Sequence, residues 1–224
     1  MKRILCVGAL LAMTSVAPAA AQQVMIEINP FGGLYLPTTD VIEFDSVILD
    51  LPSEEMATAK QKTAAAFGGR ITIWLQQAFA IEGGFAYALS DGDVELNGQD
   101  LCDTSFDGDA IVCDANVWFG SLKGLYRFAP QAGANWAIHL GAGPAVISRG
   151  GDAFEDADGK TDIGGVLNVG ASFDLTPQVA IRLDAEDYLY SAKFEDSESG
   201  VELGDSKFQN DLLFTGGIAI RLGR

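Results

Sequence analysis

Eight stretches of this chain alternate apolar and polar residues with a period of two. Residues i and i+2 share a face of a strand, whereas a helix repeats every ~3.6 residues, so this period commits the chain to β-structure. The first stretch covers 24–36 (Ile26, Ile28, Leu34, Leu36), the second 65–75 (Phe67, Ile71, Ile73, Leu75) and the third 78–89 (Phe79, Ile81, Phe85, Tyr87, Leu89). The fourth covers 116–128 (Trp118, Leu122, Tyr126, Phe128) and the fifth 136–147 (Trp136, Ile138, Leu140, Val146). The sixth covers 163–175 (Ile163, Leu167, Val169, Phe173, Leu175), the seventh 179–190 (Val179, Ile181, Leu183, Leu189) and the eighth 209–222 (Leu212, Phe214, Ile218, Ile220, Leu222). Gln76-Gln77, 129–135 and 176–178 are short connections; 37–64, 90–115, 148–162 and 191–208 are long ones. An even number of strands with short turns at one end and long loops at the other is the pattern of a membrane-spanning barrel. The fold class is therefore all-β, an eight-stranded antiparallel up-and-down transmembrane β-barrel, in which closure removes every edge.

The opposite phase is small or charged. Its ionic members are Glu27, Arg70, Glu82, Lys123, Arg127, Asp174, Arg182, Asp184, Glu186, Asp211 and Arg221, six acids against five bases. An eight-stranded barrel is just wide enough for side chains to fill it. Pointed inward, these residues predict an ion-paired lumen with no wide channel. A soluble lipocalin-like carrier would reverse the phases, with the apolar side chains inside. Two features favour the membrane. The polar phase is thin for a solvated exterior, and Trp74, Trp118, Phe128, Trp136, Tyr188 and Tyr190 sit near strand ends as interfacial girdles do, although Trp74 falls in the polar phase.

Lys2-Arg3, the apolar stretch Ile4 to Val16 and the small residues before Gln22 read as a signal peptide over 1–21, leaving the barrel domain as 22–224. After cleavage the net charge is 12 − 31 = −19. So acidic a chain does not suit nucleic acid, which demands a basic face. Cys102 and Cys113 then remain, an even count that reads as one disulfide in an exported protein.

Asn29-Pro30-Phe31-Gly32-Gly33-Leu34-Tyr35, Phe67-Gly68-Gly69-Arg70, Trp74 to Phe85, Gly141-Ala142-Gly143-Pro144 and Leu175 to Tyr188 carry a family likeness. Over the mature chain they resemble the outer-membrane beta-barrel domain family, the small OmpA-like and OmpX-like barrels. The resemblance implies an eight-stranded barrel in the outer membrane of a diderm bacterium, and its motifs mark no activity. The chain departs from it by ending Ile220-Arg221-Leu222-Gly223-Arg224 without a terminal aromatic residue.

Residues 91–114 hold eight acids and no base, and Asp152, Glu155, Asp156, Asp158 and Asp162 crowd the third long connection. These read as solvated loops. Asp107 with Asp109, and Asp156 with Asp158, are oxygen-rich enough to attract divalent cations, but neither pair completes the ligand spacing of a calcium loop, and no metal site is assigned. His139, the single histidine, has no serine within two residues and reads as part of the lumenal hydrogen-bond network. Arg182, Asp184 and Glu186 share a face and read as structural ion pairs rather than acid–base catalysts. The expectation is a monomeric barrel without cofactor or enzyme activity, in contact with outer-membrane lipid and acting through its acidic loops. Two alternatives stay open at this point. One is a narrow pore using space left by Gly84, Gly141, Gly143 and Gly170; the other is the soluble carrier of an apolar ligand.

Overall fold

The computed structural model describes residues 24–39, 42–44, 57–96, 99–100, 102, 105–106, 109–110, 113–131, 133–151, 157–158, 161–192, 195–196 and 207–222. The leader, with Cys6, and two of the four cation-candidate aspartates, Asp107 and Asp156, lie outside them. Eight strands form one closed antiparallel barrel: β1 Met25–Pro37, β2 Ala64–Trp74, β3 Phe79–Ala88, β4 Asn116–Phe128, β5 Trp136–Gly150, β6 Thr161–Asp174, β7 Val179–Ala192 and β8 Lys207–Leu222. Each pairs with its sequence neighbours, and β8 closes on β1, with Glu27 opposite Arg221 and Leu34 opposite Phe214.

The β2–β3 and β6–β7 turns have the same construction. The Leu75 and Leu175 amides donate to the carbonyls of Phe79 and Val179 at 3.0 and 2.9 Å. Prolines interrupt two of the ladders. The β1–β8 pairing passes over Asn29 and Pro30, and the β4–β5 pairing passes over Gly143 and Pro144. Proline has no N–H to give a ladder. Glycine lies at each gap because the facing backbone comes close: a Cβ on Gly217 would collide with the Pro30 carbonyl, and one on Gly143 with the Leu122 carbonyl.

The apolar phase faces outward. Ile71, Leu122, Leu140, Leu167 and Leu183 are each about half exposed around the barrel wall. This overturns the soluble-carrier alternative, which needs those side chains inside. A wall of this kind loses its aqueous penalty only in lipid. The expected aromatic girdle is partly corrected. Trp118, Phe128 and Trp136 do face outward, whereas Trp74, Tyr188 and Tyr190 are buried in the lumen.

The long connections contain strands that the alternation did not predict. Ile42–Phe44, Ala57–Gln61, Gly92–Leu96 and Gln99–Asp100 form a four-stranded sheet that joins the first long connection to the second. Ala157–Asp158 pairs with Glu195–Asp196 and joins the third to the fourth. The second connection is also closed on itself by the Cys102–Cys113 disulfide, with Cα atoms 5.7 Å apart.

Candidate functional site

The inward phase fills the barrel in storeys. At the loop end lies an apolar storey that includes Phe31, Tyr35, Val117, Phe119, Ile147, Tyr188 and Leu213. Phe119 packs between Tyr35 and Tyr188, with ring centroids 5.6 and 4.6 Å away. The alternation predicts a polar lumen throughout, and this plug departs from it. Its residues share the phase of the charged ones, so the phase alone does not distinguish them.

The middle storey is an ion-pair lattice. Arg70 meets Glu186 at 3.2 Å, Asp184 at 3.5 Å and Glu82 at 3.8 Å. Lys123 meets Glu82 at 3.0 Å and also contacts Glu186. Arg182 meets Glu82 at 2.5 Å, Asp184 at 2.9 Å and Glu27 at 3.5 Å. Each of these cations touches at least two carboxylates, so no charge depends on one partner. Register makes the lattice possible. Glu82 lies opposite Lys123 on the β3–β4 ladder, while the long Arg70 lies opposite Gly84 and Arg182 opposite Gly217. Neutral groups complete it: Arg70 donates to Thr215 Oγ1 at 2.8 Å, and Thr72 donates to Glu82 at 2.6 Å. The guanidinium of Arg70 also lies 4.0 Å from the Phe31 ring centre, which ties the lattice to the plug.

The storey at the short-turn end is looser. Arg221 bridges Glu27 at 3.1 Å and Asp174 at 2.7 Å, and Arg127 reaches Asp174 only at 3.7 Å. Trp74 stands behind them, with the His139 ring 5.8 Å away and the Arg127 guanidinium 5.6 Å from its ring.

Ten of the eleven charged residues singled out in the sequence therefore meet in the lattice and its lower continuation. Asp211 does not join them. It accepts from the Tyr190 hydroxyl at 2.5 Å at the loop-end mouth, where Tyr190 also accepts from Arg149 at 2.5 Å and Arg149 pairs with Asp162 at 2.9 Å. Arg149 and Asp162 fall in the expected loop 148–162 but lie in strands, because the alternation ends β5 too early and starts β6 too late. Arg149 keeps the odd phase of His139, and Asp162 the even phase of Asn168, so continuing each phase would have found both. Tyr35 donates to Gln61 Oε1 at 2.8 Å and Gln61 donates to the Ala115 carbonyl at 3.1 Å, which fastens the first two long connections to this mouth.

The four glycines weighed as lumenal space leave little of it. A Cβ on Gly141 would strike Leu125, one on Gly143 the β4 backbone, and one on Gly170 the Asp184 carboxylate; one on Gly84 would come within 2.9 Å of Ser121 Oγ. Among the described residues no group of His, Cys, Asp and Glu side chains is arranged to hold a metal ion. The strand pair Asp109–Ala110 and the strand Ala157–Asp158 place the Asp109 and Asp158 backbones, which alone define no ligand set. Asp184 and Glu186 both belong to the lattice, with Arg182 nearest to Asp184 and Lys123 nearest to Glu186.

A family profile described as the outer membrane protein beta-barrel domain matches residues 7–210. No curated protein matches the chain. Among solved structures, the outer membrane protein OprG of Pseudomonas aeruginosa is similar at a TM-score of 0.60 and 12% identity, covering 90% of this chain and 97% of that one. The outer membrane protein AlkL, solved in lipid bilayers, is similar at a TM-score of 0.59 and 12% identity, covering 91% of this chain and 92% of that one. At such identities the likeness speaks to the fold.

Proposed function

The chain belongs to the outer membrane protein beta-barrel domain family, which places it in the outer membrane, and from that premise we propose that it is a non-enzymatic barrel with a closed lumen, acting at the cell surface through its acidic loops. The observation that carries this reading is the stacking of an aromatic plug on a multiply cross-linked ion-pair lattice across the interior. Either storey alone obstructs a barrel of this size, whose interior is only wide enough for side chains. Against catalysis, neither ring nitrogen of His139 has a hydrogen-bond partner, so the base of a serine–histidine–acid arrangement is missing. In this reading the short-turn end faces the periplasm, residues 1–21 are removed on export, and the barrel works as a monomer in lipid.

The test is conductance. Mature protein, shown folded by its change in gel mobility on boiling, is inserted into a planar bilayer. The expected result is a silent bilayer with inserted protein demonstrated by recovery from the membrane. Discrete, reproducible current steps would overturn the closed lumen and make the protein a narrow pore.

A further inference from the structure

Single unpartnered polar atoms occur along the lumen, at Ser121 and Asn168 among others, but the storey at the short-turn end gathers most of them. Trp74, His139 and Ser172 are each at least 97% buried. Yet Trp74 Nε1, both ring nitrogens of His139 and Ser172 Oγ have no hydrogen-bond partner, and neither does the buried Nε of Arg127. Buried polar atoms are almost always paired, so several orphans in one storey call for an occupant.

The orphans are mainly donors. An indole N–H and a guanidinium N–H can only donate, a serine hydroxyl can donate, and a neutral imidazole offers one N–H. What they lack is an acceptor. Charge points the same way. Arg127 has a single ion pair at 3.7 Å, beyond hydrogen-bond reach, and its partner Asp174 is held more tightly by Arg221 at 2.7 Å. Glu27, the other carboxylate of this storey, is taken by Arg221 and Arg182. Arg127 is thus the least neutralised cation of the lumen among the described residues. Its side chain is partly exposed at the mouth, which supplies a way in.

The geometry points to a small monovalent anion, of chloride size, held between Trp74 Nε1–H and Arg127 Nε–H with His139 and Ser172 at its back. The site opens at the short-turn end and stops at the lattice, so it requires no conducting path. Charge-assisted donors from Arg127 make it prefer an anion over water, which the same donors would hold without saturation or charge selectivity.

The chain has three tryptophans, so the side-chain N–H signals of the full-length mature barrel in detergent are few and separable. Trp74→Phe identifies the Trp74 signal. Chloride is then exchanged for the bulky gluconate ion at constant ionic strength. The expected result is a saturable shift of the Trp74 indole N–H alone, weakened about tenfold or more in Arg127→Gln. A Trp74 signal that ignores chloride but exchanges magnetisation with water would overturn the anion and leave an internal water. Equal shifts in Arg127→Gln would overturn the role of the guanidinium. If Arg127→Gln fails the gel-mobility test of folding, Arg127→Lys keeps the charge, loses the Nε–H donor, and is expected to weaken the shift in the same direction.

Discussion

Arg182 is the side chain on which the lattice depends most, and replacing it with methionine tests that dependence. The guanidinium is fully buried and touches three carboxylates. It donates to Asp184 at 2.9 and 3.0 Å and to Glu82 at 2.5 and 3.3 Å. Removing one partner from a buried ion pair costs ~3–5 kcal/mol, because the remaining charge is left desolvated. Here the stranded carboxylates keep other cations: Glu82 keeps Lys123 at 3.0 Å, Glu27 keeps Arg221 at 3.1 Å and Asp184 keeps Arg70 at 3.5 Å. That redundancy places the expected loss near the lower bound, about 3 kcal/mol. In reversible urea unfolding of the vesicle-inserted barrel, this moves the midpoint down by about 1 M. Adding Asp184→Asn removes one stranded charge. The double variant should then be less damaged than the sum of the singles by ~1–3 kcal/mol. A loss below ~0.5 kcal/mol for Arg182→Met, or strict additivity of the pair, would refute the claim that this arginine holds the lattice together.

Two further outcomes follow from the wall. Gly143→Ala drives a methyl group into the Leu122 backbone at the Pro144 gap and should cost ~1–3 kcal/mol, whereas Gly83→Ala meets nothing within 4 Å and should be neutral or slightly stabilising; unfolding midpoints compare the two directly. Val169→Arg places a charge at mid-height on the apolar outer face and should cost ~2–4 kcal/mol, while Leu175→Arg in the β6–β7 turn should cost ~0–1 kcal/mol, as measured by folding into vesicles. Equal costs at the two positions would place the lipid band elsewhere.

The eight strands and their inward phase were legible because lipid outside and packed side chains inside force strict alternation on every strand. Ile71, Leu122 and Leu183 declare the outer face, and Arg70, Lys123 and Arg182 the inner one. The contents of the inner face were less legible. Tyr35, Phe119, Ile147 and Leu213 occupy inward positions that look like lapses in a polar phase, yet they form the plug. Apolar residues suit both lipid and a dry core, so near the loop end their type no longer reports which side they face. Tyr188 and Tyr190 misled for the same reason, since an aromatic near a strand end suits a girdle and a plug equally. The pairings themselves depend on register around a closed ring, which no single strand encodes. Local periodicity could not announce that Asp211 would stand with Tyr190 and Arg149, away from the lattice.

The lattice also bears on how the ring closes. Strand pairing by backbone alone accepts any even slip, because a slip of two residues keeps every side chain on its own face. The charges do not accept it. Closing β8 on β1 in the observed register brings Arg221 to Glu27 across the seam and carries Thr215 to Arg70, two strands away. A slip of two would set Arg221 beside a different neighbour and leave Glu27 facing a small side chain, a charge desolvated without its partner. The interior therefore acts as a combination lock on assembly: the wall can form in several alignments, but only one lets every buried charge find its counterpart.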